Sequence, residues 1–575
     1  MSSRLKVSHG QHSEPGRKAA NQDFCGYRNP AGSAEQLKGA VFAIADGISS
    51  SPVSQQASET AVKSFLGDYY CTSDAWTVKR SAERVLKSIN SWLFAQSRQG
   101  ESRFDPDKGY VTTFSAIIFK GDKAHLLHVG DSRIYRIRAG TLEQLTIDHR
   151  LYVAESQSYL SRALGAAESL ELDYRCFNLQ AGDLFLLATD GVYEHLSPNQ
   201  ILNSLHNPST SLHQVSQKLV EQAHQQGSED NLSLQIIRVE EIPQSGSALL
   251  QEQLQSLPMP PELAAGQSLD GYKIVRPINI TSRSHCYLAV DETSGSSVVL
   301  KVPAQEQRDD RIYLERFLME EWIARRVNNL HVVKAAPAAR ERHYLYTVTE
   351  FIEGQTLSQW LLDHPKPDLT SVRNLIEQIG RGLMAFHRLD MLHQDIKPDN
   401  VLIDQHGTAK IIDFGSTYVA GIEESEYGQL QPNLLGTALY TAPEYFLGDM
   451  GSERSDIFAL GVLTYHLLCG QFPYGTQVAK ARTPSAQKRL SYQSLLHEER
   501  EIPAWVDAAI KKAVHPNPYR RYQEVAEFLR DLQKPNPEFL AQQRPPFIER
   551  NPTLFWQCVS GVLLAVVIVQ FALYR

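Results

Sequence analysis

Between Ile242 and Gly271 the chain reads "IPQSGSALLQEQLQSLPMPPELAAGQSLDG", a run rich in Gln, Ser and Pro that breaks the strand and helix rhythm on either side. This interruption is the strongest constraint on the fold, because it forces each flank to bury its own core. At 575 residues the chain is also too long for one core. The boundaries that follow are a first domain over 1–241, a linker over 242–270 and a second domain over 271–533. A Pro-rich spacer over 534–552, "KPNPEFLAQQRPPFIERNP" in its core, leads to a terminal segment over 553–575.

The net charge of −8 is mild for this length and argues against nucleic acid as a partner. The six cysteines stand far apart with no CxxC pair, which disfavours disulfide scaffolds and zinc sites and fits a reducing compartment. The start, "MSSRLKVSHGQHSEPGRKAANQD", has no apolar core of a secretory signal. The run "LFWQCVSGVLLAVVIVQFAL", Leu554 to Leu573, is free of charge and flanked by Arg550 and Arg575. Its length matches a hydrocarbon core, so a single-pass C-terminal membrane anchor is expected, with the preceding domains cytoplasmic.

In the first domain, β-branched and aromatic runs such as "KGAVFAIADG", "TTFSAIIFKGDKAHLLHVGDSRIYRI" and "DLFLLATDG" alternate with helical patterns such as "SAERVLKSINSWLFAQS". An α+β layered domain is the expectation. Five aspartates stand where strands end or turn: Asp23, Asp46, Asp131, Asp190 and Asp230. Acids at the ends of neighbouring strands can converge, and unpaired acids in one place call for divalent cations that hold and acidify a water. Each Asp-Gly alone is first of all a turn signal.

The motifs "NQD", "ADG", "VTTFSA", "HVGDSRIY", "LTIDH", "LLATDGVYE" and "EDNLSL" occur in the order and spacing of the metal-dependent protein phosphatase 2C family, which residues 1–241 resemble. The resemblance implies an α/β/β/α sandwich with two Mn²⁺ or Mg²⁺ ions, bridged by Asp46 and bound by the Gly47 carbonyl, Asp190 and Asp230. Asp23 would act through metal-bound waters and Asp131 would hold a weaker third ion. Departures are Ser49 and Ser50 in place of two glycines, Gln22 for a common Glu, and Lys18, with Arg17 beside it, where the family has its phosphate-gripping arginine. Lysine supplies charge but no bidentate fork.

In the second domain a strand-rich stretch gives way to long helical patterns such as "TSVRNLIEQIGRGLMAFHRL", as in a two-lobed enzyme. "SVVLKV", "LERFLMEEWIARRV", "HQDIKPDN", "KIIDFGS", "GTALYTAPEY" and "RSDIFALG" follow in order. Together they resemble the eukaryotic-like Ser/Thr protein kinase family over residues 270–533. By that resemblance Lys301 would hold ATP phosphates, braced by Glu320, with Glu321 as the other register. Asp395 would accept the substrate hydroxyl proton, Lys397 would meet the γ-phosphate, and Asn400 and Asp413 would bind Mg²⁺. Glu350 would open the adenine-reading hinge, and Thr437 and Glu444 would belong to the substrate side, Glu444 pairing with Arg521. The glycine-rich loop is missing: "PINITSRSHCYLAVD" has no glycine, leaving Ser282, Arg283 and Ser284 as donors for phosphate. Gln394 replaces the arginine before the catalytic aspartate, so a phosphate on the activation segment has one fewer partner, and Ser416, Thr417, Ser425 and Tyr427 are candidate acceptors.

The expectation is one chain with opposed activities, phosphorylating protein Ser/Thr with ATP and hydrolysing phospho-Ser/Thr, acting on protein substrates that include its own kinase domain. A flexible linker of this length spans about 30 Å. Two other readings are a nucleotide-binding pseudokinase that regulates an active phosphatase, and a membrane scaffold with two inactive domains.

Overall fold

The computed structural model describes residues 5–99, 105, 108–154, 157–205, 210–243, 257–337, 341–423, 438–497, 502–542 and 552–573. Thr437, Ser425, Tyr427 and residues 543–551 of the Pro-rich spacer, Arg550 among them, lie outside the described residues.

Among the described residues the first domain has twelve strands: β1 (Lys6–Glu14), β2 (Asp23–Arg28), β3 (Ala40–Asp46), β4 (Phe114–Lys120), β5 (Lys123–Val129), β6 (Arg133–Arg138), β7 (Thr141–Gln144), β8 (Arg150–Ala154), β9 (Gln157–Leu160), β10 (Asp173–Asn178), β11 (Leu184–Ala188) and β12 (Leu232–Glu241). They form two five-stranded antiparallel sheets, ordered β1-β12-β11-β6-β7 and β10-β5-β4-β3-β2, with β8 and β9 as a separate hairpin. Because β3 is covered on both faces, it reads as a continuous apolar run rather than an alternating one. Its even members, Phe42 and Ile44, meet Ile134, Phe185 and Leu187 of the opposite sheet. Its odd members, Val41, Ala43 and Ala45, meet the helices Ser54–Asp68 and Val78–Ser97. The helix Leu212–Gln225 covers the outer face of the other sheet. Four layers in α/β/β/α order result.

The second domain opens with a sheet of β13 (Ser268–Leu269), β14 (Tyr272–Ile280), β15 (Ser284–Asp291), β16 (Ser297–Pro303) and β17 (Thr347–Glu350), backed by the helix Arg311–Arg326. Residues read as linker do not all hang free. Leu257 and Met259 pack on Leu314 and Phe317 of that helix, and the Pro258 carbonyl accepts the Leu345 amide at 2.9 Å. The five residues of "LPMPP", all apolar or proline, explain this, since they gain more by covering the helix than by staying hydrated. The lower lobe is helical, built on Leu369–His387 and Glu453–Cys469. It adds the short strands β18 (Gly354–Thr356), β19 (Met391–Leu392), β20 (Val401–Asp404), β21 (Ala409–Ile411) and β22 (Tyr418–Val419). The helix Glu453–Cys469 is buried nearly all round and apolar over most of its length, and it runs through the middle of the lower core.

The C-terminal run forms a helix, Pro552–Leu573. Its fully described stretch, 553–566, is short, and among the described residues no helix is long and apolar enough to cross a membrane. The expected anchor therefore draws no support from the structure.

Candidate functional site

In antiparallel sheets the end of one strand lies beside the start of the next, so acids placed at starts and ends share one rim. Asp23 opens β2, Asp46 closes β3 directly opposite it, Asp131 follows β5, Asp190 follows β11 and Asp230 precedes β12. All five sequence-predicted acids thus meet at one end of the sandwich. Their mutual repulsion is large. Burial, reinforced by the charges of Asp23, Asp190, Asp131 and Asp230, drives Asp46 well above the usual carboxylate range. Burial, followed by Asp131 and Asp230, takes Asp190 to about 7. Burial takes Asp23 to about 6, against hydrogen bonds that favour its charge.

Two devices hold the acids in place. The Asp46 amide donates to Thr113 Oγ1 at 2.9 Å, and Thr113 Oγ1 lies 2.7 Å from Ser132 Oγ beside Asp131. Thr189 donates to Asp23 Oδ2 at 2.8 Å. Gly47 is required by a close approach: a Cβ there would lie 2.6 Å from the Ser54 carbonyl oxygen. Gln22, standing where a Glu is common, is a structural link, donating to Ser51 O at 3.1 Å and Ser54 Oγ at 2.6 Å. Ser49 and Ser50 take ordinary backbone torsions without positive φ.

Cations of the chain itself lie among these acids. The Arg150 guanidinium bonds Asp131 Oδ2 at 2.5 Å, Asp190 Oδ2 at 2.7 Å and Glu194 Oε1 at 2.8 Å. Lys18 pairs with Asp230 and donates to Ser49 Oγ at 2.7 Å. Arg17 lies 3.7 Å from Glu229 on the exposed rim. Among the described residues no three His, Cys, Asp or Glu side chains form a ready metal cage. The donor chemistry nevertheless fits a hard divalent ion: the donors are carboxylates, and Oδ1 of both Asp23 and Asp190 is buried with no hydrogen-bond partner. Arg150 was not singled out from sequence; the only signal was a basic residue directly after "LTIDH".

The second site lies between the lobes of the C-terminal domain. Lys301 on β16 reaches Glu320 Oε2 at 2.6 Å and lies 3.9 Å from Asp413 Oδ1. Burial works against the ammonium, but Glu320 and Asp413 outweigh it and hold its pKa above the ordinary lysine value. The two possible registers separate cleanly: Glu321 points away, pairing with Arg325 and Arg342. Below, Asp395 Oδ2 accepts from Lys397 Nζ at 2.7 Å and Asn400 Nδ2 at 2.9 Å. Asp413 Oδ1 accepts the Gly415 amide at 3.1 Å. Glu350 closes β17 and is tied off by Lys410 at 2.8 Å, leaving backbone groups for the hinge.

The loop bearing Asp395 is fixed from beneath by a residue the sequence reading quoted within "RSDIFALG" without giving it a role. Asp456, fully buried, accepts the amides of His393 and Gln394 at 2.9 Å each and lies 2.9 Å from His387 Nε2. Despite burial, these donors hold its carboxyl below the usual range. Gln394 takes a left-handed φ of 65°. Where a glycine-rich loop would lie, the tip between β14 and β15 is a turn closed by Thr281, whose Oγ1 donates to Ser284 O at 2.9 Å and accepts the Ser284 amide at 3.1 Å. The carbonyls of Ser282 and Arg283 are held by Gln307 and Tyr313.

Glu444 and Arg521 form a buried bidentate pair, 2.7 Å at both contacts. Arg521→Ala should strand a buried carboxylate. Chemical denaturation should show a loss of about 3–5 kcal/mol in the second domain. A loss under 1 kcal/mol would mean that water reaches Glu444.

Comparison with known proteins adds independent findings. Residues 11–234 match the family model described as protein phosphatase 2C, and residues 272–537 match that described as protein kinase domain. Serine/threonine-protein kinase PrkC of Bacillus subtilis is 29% identical over 280 residues, covering 46% of this chain and 41% of that protein. Serine/threonine-protein kinase PknL of Mycobacterium tuberculosis is 30% identical over 271 residues, covering 46% of this chain and 65% of that protein. The chain thus spans less than two thirds of these curated relatives. A solved structure of the catalytic domain of the phosphatase PstP in complex with two manganese ions is 26% identical, covering 41% of this chain and all of that one at a TM-score of 0.34.

Proposed function

We propose that this chain, which joins a protein phosphatase 2C domain to a protein kinase domain, is a dual signalling enzyme that phosphorylates protein Ser/Thr with ATP and hydrolyses phospho-Ser/Thr. The observation that carries the reading is completeness. The Lys301–Glu320 pair, the Asp395–Lys397–Asn400 contacts and Asp413 occur together in one half, and five converging acids occur in the other.

In the kinase half the work is positioning and charge neutralisation. Lys301, kept charged by Glu320, would bind the α and β phosphates of ATP, and Asn400 and Asp413 would hold its Mg²⁺. Asp395 accepts the proton of the substrate hydroxyl, while Lys397 neutralises the phosphoryl group in transit. The glycine-free tip, closed by Thr281, keeps side chains where glycines would let backbone approach the phosphates, which weakens nucleotide affinity. It also favours the second reading, a nucleotide-sensing pseudokinase, which predicts ATP binding without transfer in the wild type.

In the phosphatase half Asp46, the Gly47 carbonyl, Asp190 and Asp230 would hold two Mn²⁺ or Mg²⁺ ions, which supply an acidified water when bound. Asp23, buried beside Asp46, would orient water held by those ions, and Lys18 and Arg17 would meet the incoming phosphate. Arg150 bonds both Asp131 and Asp190, so an ion entering at either acid would have to displace it.

The raised carboxyl values give a pH test. Folded Asp23 and Asp190 keep protons up to about 6 and 7, whereas unfolded carboxylates release them near 3.8. Their contribution to metal-free stability is therefore present below about pH 4 and lost as pH rises towards 7. Cations replace those protons, so Mn²⁺ should raise the phosphatase-domain Tm several degrees more at pH 8 than at pH 5.5. Equal gains at both pH values would refute the acid cluster as the metal site.

The proposal extends to the membrane. The charge-free run Leu554–Leu573 is long enough for a tail anchor at 1.5 Å per residue, with the catalytic domains on the cytoplasmic side. Fractionation with membranes that is abolished by truncation after Gln542 is the expected result.

A further inference from the structure

Among the described residues most interdomain contacts fall on one short stretch, Ser73 to Arg80, which leads into the helix Val78–Ser97 of the phosphatase domain, with Leu37 and Lys120 beside it. Ala75 is fully buried, and it lies in the hydrophobic core of the kinase lower lobe together with Leu37. Its carbonyl accepts the Gly421 amide at 2.9 Å, and Lys120 donates to the Gly421 carbonyl. Both peptide groups of Gly421 are thus satisfied by the other domain. A Cβ at Gly421 would lie 2.6 Å from the Trp76 carbonyl oxygen and 2.7 Å from that of Ala75, so only glycine permits this approach. Trp76 Nε1 donates to the Arg388 carbonyl at 3.0 Å. Arg80 stacks on the Trp76 ring and pairs with Asp390. Asp74 pairs with Arg326 at 3.1 Å, at the last turn of the helix that carries Glu320.

These contacts fall on the parts of the kinase domain that must be ordered for phosphoryl transfer. Asp390 precedes β19, and its carbonyl accepts the Ala420 amide at 3.1 Å. β19 pairs with β22, joining the root of the activation segment to the root of the catalytic loop. Gly421 lies two residues past β22. The same eight-residue stretch therefore grips the end of the Glu320 helix, the approach to the catalytic loop and the start of the activation segment. In this docked arrangement Lys301 and Glu320 are in contact. Gln394, where a cation could have gripped a phosphorylated loop, carries no charge.

We infer that the Ser73–Arg80 stretch of the phosphatase domain is a docking element that holds the kinase domain in its transfer-competent arrangement, taking the ordering role that a phosphate on the activation segment would otherwise serve. The inference rests on the proposed kinase activity for its consequence, but not for the docking itself. The ion pairs are partly exposed and individually weak. The burial of Ala75 and the two Gly421 hydrogen bonds carry more of the interaction, because breaking them leaves buried polar groups unpaired.

The test uses the full chain with Trp76→Ala and Arg80→Glu combined. Amide hydrogen exchange over 417–423 and 388–392 should speed up roughly tenfold as the root of the segment is released. Transfer from ATP to a protein acceptor should fall by a similar factor, while hydrolysis of para-nitrophenyl phosphate stays within about twofold, since neither residue belongs to the acid cluster. Adding Asp390→Arg to Arg80→Glu, with Trp76 intact, should recover part of both losses. Unchanged exchange would overturn the docking. Faster exchange with unchanged or increased transfer would overturn its supporting role. A wild type that transfers no phosphate would sink the kinase reading instead, and the exchange result would still decide the docking.

Discussion

Asp395→Ala in the full chain is expected to reduce phosphate transfer from ATP by about 10³-fold, within the range for loss of a positioned general base. The carboxylate is held by Lys397 at 2.7 Å and Asn400 at 2.9 Å, and the loop beneath it is pinned by Asp456. Alanine removes the proton acceptor and leaves that scaffold standing. Nucleotide affinity should change only a few-fold, because the groups proposed to bind ATP and its Mg²⁺, Lys301 and Asp413, are not held by Asp395. A labelled-ATP assay separates the outcomes. Transfer that persists in the variant would exclude Asp395 as the base, and a wild type that binds ATP without transfer would favour the pseudokinase.

Asp46→Asn is expected to have two opposite effects from one cause. Hydrolysis of a phosphopeptide should fall by about 100-fold or more, since the amide keeps the shape but loses the charge that two cations would share. In a chelator, however, the phosphatase domain should unfold at a temperature roughly a few degrees higher. Asp46 carries the repulsion of four other acids in a buried place, and the amide removes it. Calorimetry in chelator and a phosphate-release assay measure the pair of effects. Unchanged hydrolysis would refute the assignment of Asp46, and a lower metal-free Tm would mean that its hydrogen bonds matter more than its charge.

Much of the architecture was legible because burial writes itself into composition. The run "KGAVFAIADG" is apolar without alternation because β3 is covered on both faces, and the acid after it marks the rim. The kinase motifs are contiguous in sequence and so were readable as words. The motif register favours Glu320 over its neighbour Glu321, and the structure agrees: Glu320 meets Lys301 while Glu321, about 100° round the helix, pairs with Arg325 and Arg342. Arg150 escaped because its partners lie 19 and 40 residues away, and nothing local marks a guanidinium that folds back on two acids. The interdomain stretch escaped more completely. Trp76 and Arg388 are 312 residues apart, and "SDAWTVKR" carries no motif. The second half of the linker looked mobile by composition, yet Leu257 and Met259 supply enough apolar surface to bind it to the kinase domain.

The most direct test of opposed activities in one chain is the time course of label from ATP onto the purified full-length protein in Mg²⁺ and Mn²⁺. Asp46→Asn should accumulate several-fold more phosphoprotein than wild type, and Asp395→Ala should accumulate none. An absence of label even in Asp46→Asn, where removal is silenced, would contradict the account.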